Sequence, residues 1–219
     1  MYNNETCISE RKIVMLKKKG LLLVVSGPSG AGKGTICKEL LNKNHDIKLS
    51  VSATTRKPRN GEVDGVNYFF LEKEKFQTMI NNGEFLEYAQ IYDNFYGTPK
   101  AAIIESLENG QDVILEIEMQ GAKQIKDVYP EGVFIFVLPP SLEELKNRIV
   151  GRGTETEEEI HKRFSCAFEE INKISDYDYF VVNKDVNTSV KEVESIILAE
   201  KNKVNRYKNN IIAKFKEEL

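Results

Sequence analysis

Leu21-Leu-Leu-Val-Val25-Ser-Gly27-Pro-Ser-Gly-Ala-Gly32-Lys33-Gly34-Thr35 is the stretch that decides the fold. The five apolar residues Leu21 to Val25 read as a strand buried on both faces, with no polar alternation. A glycine-rich turn follows at once and opens a helical pattern. From Gly27 to Lys33 the spacing is G-x-x-x-x-G-K, in the strand–loop–helix setting that turns a pattern match into a structural statement. Glycines let backbone N–H groups turn inward around phosphate oxygens, and the helix N-terminus adds positive potential. Lys33 brings a point charge to the β- and γ-phosphates of a nucleoside triphosphate. The expected phosphate-cradling residues are therefore Gly27, Pro28, Ser29, Gly30, Ala31, Gly32, Lys33, Gly34 and Thr35.

One position departs from that form. Gly34 stands where Ser or Thr usually offers a hydroxyl to Mg²⁺, and Thr35 comes next. Mg²⁺ is therefore expected to be held mainly by nucleotide phosphates and water, which it keeps readily. Thr35, Glu116 and Glu118 are the protein oxygens considered for its shell.

Outward from the loop, further buried strands are expected at Val113–Ile117, Val133–Leu138 and Tyr179–Val182. Helical patterns fall at 99–109, 119–128, 141–150 and 188–206. Strands alternating with helices predict an α/β fold, a P-loop NTPase-type parallel sheet with helices on both faces. Residues 52–97 break the alternation with short strands, Tyr68-Phe69-Phe70 and Phe85 to Ala89, and with loops carrying Arg, Tyr and Gly. They read as a small inserted subdomain. Residues 148–163, dense in charge around Gly151-Arg152-Gly153, read as a hinged segment. The expected organisation is a flexible extension over 1–19 and one domain over 20–219. Its core is 20–51, 98–140 and 164–219, its insertion 52–97, and its mobile lid 141–163.

Bulk properties remove several classes. A net charge of -3 is not that of a general nucleic-acid binder. No apolar run reaches the roughly 20 residues of a spanning helix, and too short an apolar run follows Lys17-Lys18-Lys19 for a signal peptide. Cys7, Cys37 and Cys166 show neither paired nor metal-ligand spacing, which predicts reduced thiols and a cytoplasmic protein. His45 and His161 read as surface residues.

The middle of the chain carries a longer signature. Ser52-Ala-Thr-Thr-Arg56-Lys-Pro-Arg59-x-Gly61-Glu62-x-x-Gly65-x-x-Tyr68 resembles the guanylate kinases. So do Glu84-Phe-Leu-Glu87-Tyr-Ala, Tyr96-Gly97-Thr98 and Leu115-Glu116-Ile-Glu118-Met-Gln-Gly121. Gly151-Arg-Gly-Thr-Glu-Thr-Glu157 is similar to that family's lid, and the matches run from about residue 20 to 185. The resemblance implies Mg-dependent transfer of the ATP γ-phosphoryl group to GMP, and to dGMP as well. ATP and Mg²⁺ are then the co-substrate and cofactor, and the two nucleotides the partners. Monomer and homodimer both stay open.

It also implies residue roles. Arg56, Arg59, Tyr68 and Tyr96 would hold the GMP phosphate, two guanidinium forks and two phenols suiting a dianion. Glu87 and Ser52 would read guanine, a carboxylate taking the N1 and N2 donors and a hydroxyl giving to O6. Adenine lacks those donors, and sites built on such pairing reject the wrong partner by roughly 10⁴-fold. Thr98 and Glu116 complete the acceptor set, Glu116 contacting GMP or the metal shell. Arg148, Arg152 and Arg163 match lid arginines and, with Lys33 and Arg56, form the expected catalytic cations. Asn183 resembles the position that approaches the adenine of ATP. On pattern alone, Glu87 reads better as a solvent-facing strand residue, and a lone Arg56-x-x-Arg59 as a solvated loop. Glu116 and Glu118 share one face of a strand at i and i+2, or else cap the next helix. An adenylate kinase, favoured by the G-K-G-T ending, leaves the Ser52 to Tyr68 signature unexplained. A non-catalytic scaffold of the same fold leaves Lys33 and its glycines unexplained.

Overall fold

The computed structural model describes residues 19–91, 93–150, 164–165 and 167–217. Arg152, Arg163, His161, Cys7, Cys166, the extension up to residue 18 and the lid segment 151–163 lie outside the described residues.

The central sheet is built from β1 (Leu22–Ser26), β2 (Ile47–Leu49), β7 (Asp112–Glu116), β8 (Val133–Leu138) and β9 (Tyr179–Val182). Its order is β2-β7-β1-β8-β9 and every pairing is parallel. Period-2 side-chain alternation makes two cores from one apolar run. Leu23 and Val25 face Ile36 and Leu40 of α1 (Lys33–Lys43) and Val190 and Val193 of α6 (Val186–Lys201). Leu22 and Val24 face Ile103 and Leu107 of α3 (Lys100–Glu108) and Ile125 of α4 (Met119–Val128). The parallel sheet with helices on both faces is as the sequence predicts.

Residues 53–99 form a second, four-stranded sheet of order β4-β3-β6-β5, made of β3 (Ala53–Thr54), β4 (Phe69–Phe70), β5 (Phe85–Ile91) and β6 (Asn94–Pro99). It also holds a helix that the strand-and-loop reading did not include, α2 (Lys73–Asn81). Phe76, Met79 and Ile80 carry the i, i+3, i+4 spacing behind it. Phe76 is fully buried and stacks on Phe85 at 4.5 Å and Phe95 at 5.6 Å between ring centroids, fastening helix to sheet.

Two other boundaries differ. The single pattern over 188–206 is two helices, α6 and α7 (Val204–Glu217), parted at Asn202, whose Nδ2 donates 2.7 Å to Leu198 O at the end of α6. An amide that satisfies a terminal carbonyl favours stopping over continuing. At the other end Asp185 caps the backbone N–H groups of Asn187 and Thr188, so α6 begins at Val186. The edge strand β2 is only three residues long, too short for periodicity to show.

Parallel strands bring their C-terminal ends to one rim. Ser26 and the glycine loop, Glu116, and Asn183 after β9 all arrive there.

Candidate active site

The phosphate loop turns on Gly32, the N-cap of α1, at φ 94° and ψ 23°. A side chain there is excluded twice over, since a Cβ would lie 2.2 Å from Asn183 Nδ2. The first turn of α1 holds no acidic residue, so its free N–H groups and positive dipole end are left to an anion. Lys33, 9% exposed, folds back over the loop, its Nζ donating 2.6 Å to Gly27 O and 3.3 Å to Pro28 O.

The loop is braced from behind. Asn183, 4% exposed, donates from Nδ2 to Ala31 O at 2.8 Å. Arg148, on α5 (Leu142–Val150), donates from Nη2 to Asn183 O at 3.1 Å and from Nη1 to Ala31 O at 3.4 Å. Its Nε donates to Glu144 Oε1 at 2.8 Å, one turn back on the same helix. Arg148 and Asn183 thus reach one loop carbonyl from two different elements.

Three residues join this rim without any sequence signal. Glu170, in the helical stretch 167–171, receives the Ser29 backbone N–H and faces Lys33 and Glu118, and burial leads the rise of its carboxyl above the usual range. Ser26 and Tyr177 place two buried hydroxyls beside each other at the end of β1. Burial pushes the Tyr177 phenol up to about 12, against the favourable Ser26 contact. Tyr177 packs edge-on against Phe136 at 4.9 Å. No local periodicity marks these residues, since only the fold brings 170 and 177 to the loop.

The second sheet gathers the arginine and tyrosine signature. Arg56 makes a bidentate pair with Glu62, Nη1 to Oε2 and Nη2 to Oε1 both at 2.9 Å. Glu62 Oε2 also accepts the Arg59 backbone N–H at 2.6 Å, closing the loop between the arginines. The Arg56 guanidinium lies 5.5 Å from the Tyr68 ring centroid and 5.8 Å from that of Phe70, and Tyr68 meets Tyr96 edge-on at 6.1 Å. The Arg59 side chain is exposed, and Ser52 sits half-buried just before β3. Glu62, quoted only as part of the signature, is the residue that orients Arg56. A half-buried fork stacked on two rings is a different object from a solvated Arg-x-x-Arg.

Glu87 is not the solvent-facing strand residue its alternation allowed. It is 8% exposed and pairs in register with Thr98, whose Oγ1 donates to Glu87 Oε1 at 2.6 Å. Burial raises its carboxyl above the usual range and the Thr98 hydrogen bond opposes that rise. Gly121, in the first turn of α4, makes room for it: a Cβ there would stand 2.7 Å from Glu87 Oε2.

Glu116 is the last residue of β7, whereas Glu118 is already the N-cap of α4, at φ -72° and ψ 158°, with no side-chain cap hydrogen bond. Glu118 fills the N-cap position without capping through its side chain, and its backbone there is still extended. Burial leads the rise of the Glu116 carboxyl, with Lys33 opposing and Glu118 reinforcing it. Among the described residues no three acidic, His or Cys side chains cluster as a metal cage. A bare glycine edge at Gly34 facing the Glu116 carboxylate, with oxygen donors only, fits a hard ion that keeps its waters and phosphates.

Comparison with known proteins bears on the same residues. The family described as Guanylate kinase matches residues 19–200. A guanylate kinase from Clostridioides difficile (strain 630) is 82% identical over 205 residues, covering 94% of this chain and all of that one. A guanylate kinase from Caldanaerobacter subterraneus subsp. tengcongensis is 59% identical, covering 93% of this chain and 98% of its own. A crystal structure of guanylate kinase from Anaplasma phagocytophilum shares 35% identity at a TM-score of 0.71, covering 88% of this chain and 92% of that one. The match spans both sheets, from three residues before β1 to the penultimate residue of α6, and so takes in the glycine loop and the Glu87 strand alike. A chain with that extent of likeness belongs to the guanylate kinase family.

Proposed function

We propose that this chain is an ATP:GMP phosphotransferase, moving the γ-phosphoryl group of ATP onto GMP to give ADP and GDP. The observation that carries the choice of acceptor is the buried Glu87 carboxylate, held by Thr98 and facing a glycine that leaves it space. A carboxylate in that setting accepts from guanine N1–H and N2–H. Against adenine it would be left buried without donors, which costs the wrong base roughly 10⁴-fold. Ser52 gives to O6, and Arg56, Arg59, Tyr68 and Tyr96 take the GMP phosphate. Thr98 acts by holding Glu87. dGMP is accepted too, because none of these residues reads the ribose 2′-hydroxyl.

ATP lies along Gly27 to Thr35, with Arg148 and Asn183 bracing the loop from behind. Two polyanions repel, so bringing them together demands cations at the transferring group. Lys33, Arg56, Arg148, Arg152 and Arg163 supply them, contacts of a kind worth about 10³- to 10⁵-fold in phosphoryl transfer. Mg²⁺, when bound, would neutralise phosphate charge, and it would be held by phosphate and water oxygens, with Thr35, Glu116 and Glu118 the protein oxygens considered for its shell. No general base is required. A phosphate monoester has its second pKa near 6, so the acceptor oxygen of GMP is mostly deprotonated at pH 7. Residues 141–163 close as a lid over the core of 20–51, 98–140 and 164–219, while 52–97 carries GMP. Closure excludes water, the competing acceptor. The chain works in the cytoplasm on small nucleotides, without nucleic acid or membrane. No helix among the described residues is long and apolar enough to cross a membrane.

The test is ADP release from Mg-ATP against GMP, dGMP, AMP, CMP and UMP in parallel. Turnover with GMP and dGMP alone is expected. Turnover with AMP would move the chain to the adenylate class, and silence with every acceptor would make it a binding module.

A further inference from the structure

The usual phosphate loop ends in a Ser or Thr whose hydroxyl is the protein's own oxygen on the metal. Here that position is Gly34, the second residue of α1. Nothing in its backbone calls for glycine, since it is not among the positive-φ glycines, and glycine is a poor helix former. What stands against it is a side chain. A Cβ on Gly34 would lie 3.1 Å from Glu116 Oε1 and 3.2 Å from Oε2, both closer than ordinary contact. Register explains how Glu116 reaches the place, because β7 pairs it with Val25, two residues before the loop opens at Gly27. The Glu116 residue is exposed and lies within electrostatic reach of Lys33 and Glu118.

We infer that Gly34 and Glu116 are a matched pair, the glutamate carboxylate taking over the metal-facing place that the missing loop hydroxyl would fill. The glycine cedes the volume and the long side chain occupies it. An aspartate at 116 would be shorter by one methylene and would withdraw from that space. This singles out Glu116, ahead of Thr35 and Glu118, as the residue that sets the metal's grip on the bound nucleotide. The inference rests on the nucleotide-kinase reading, and its test needs neither GMP nor turnover.

The dissociation constant of ADP is measured by calorimetry with saturating Mg²⁺ and again with a chelator, and the chelator value divided by the Mg²⁺ value isolates the metal's contribution. Gly34→Ala and Glu116→Gln should each lower that ratio by about 10-fold or more, the scale on which partners of a bound metal act. ADP binding in the chelator is measured on the same variants, so that a loss shared by both conditions is not counted as a metal effect. Gly34→Ala should keep or raise the melting temperature, since alanine is the better helix former, which separates a lost metal effect from unfolding. Gly34→Ser should behave like Gly34→Ala, whereas Gly34→Ser combined with Glu116→Asp should recover most of the ratio. That double variant returns the hydroxyl and withdraws the carboxylate, so the two changes couple. An unchanged ratio in both single variants would overturn the pairing, as would a double variant no better than Gly34→Ser alone. A starting protein that binds no ADP under either condition would instead bring down the nucleotide-kinase reading itself.

Discussion

Thr98 Oγ1 donates a 2.6 Å hydrogen bond to Glu87 Oε1 across the β5–β6 ladder, in a place where the carboxylate is almost wholly removed from water. Burial raises the Glu87 carboxyl and the threonine restrains that rise. The ionised form is the one that accepts two guanine donors. GMP affinity should therefore weaken as pH falls through a midpoint above the ordinary glutamate value of about 4.3. Thr98→Val should move that midpoint upward. The check is GMP binding by calorimetry from pH 4.5 to 8, and a midpoint unmoved by the substitution would show that Thr98 does not tune Glu87. For stability the sign is the opposite of that for a salt-bridged carboxylate. A raised pKa means the native state binds the proton more tightly, so this group's contribution declines as pH rises from the unfolded value through the folded one.

Lys33 and its loop should separate chemistry from acceptor binding. Lys33→Ala is expected to lower turnover by roughly 10²- to 10³-fold or more, the scale for removing one charge-stabilising donor. GMP affinity should remain, because Glu87, Tyr96 and Thr98 sit in the other sheet. Steady-state kinetics beside direct GMP titration decides it, and a turnover near the starting rate would end the assignment of Lys33.

Arg56 is expected to be intolerant of lysine. Its guanidinium makes two parallel bonds to Glu62 while lying over Tyr68 and Phe70, geometry that an ammonium does not reproduce. Arg56→Lys should weaken GMP by about 10-fold or more, one to two charge-assisted hydrogen bonds. ADP affinity should be unaltered. Equal loss for both nucleotides would mean the substitution damages the fold instead.

Away from the site, Asp112 ties the strand edge together. It is 2% exposed, accepts the Leu21 backbone N–H at 2.9 Å, and its other oxygen lies 2.5 Å from Lys201 Nζ, a charge contact rather than a well-aligned hydrogen bond. Asp112→Ala orphans a buried N–H and should cost about 1–3 kcal/mol. At about 2–4 °C per kcal/mol for a chain of this size, thermal denaturation would register the loss. A melting temperature within 1 °C or so of the starting protein would show that the strand end re-solvates freely.

The parts of this protein legible in its sequence are those where one local rule suffices. A five-residue apolar run between polar residues has to be a buried strand, and G-x-x-x-x-G-K directly after it has to turn backbone N–H groups inward. From these the parallel sheet follows, and the arginine, tyrosine and glutamate signature adds the acceptor side through resemblance. Other features were out of reach because their causes are not local. Glu87 lies in an alternating run that reads as half-exposed, and only the approach of α4, made possible by Gly121, buries it. Glu170 and Tyr177 follow no pattern of their own, and the folding of the chain behind the sheet alone delivers them to Ser29 and Ser26. Gly34 looked in the sequence like a lost hydroxyl. The tertiary structure shows the volume it frees facing the carboxylate of Glu116, from a strand 82 residues further along. Sequence patterns report the backbone a residue prefers, whereas which side chains share a cubic nanometre depends on strand order and register, which are settled only when the whole core packs.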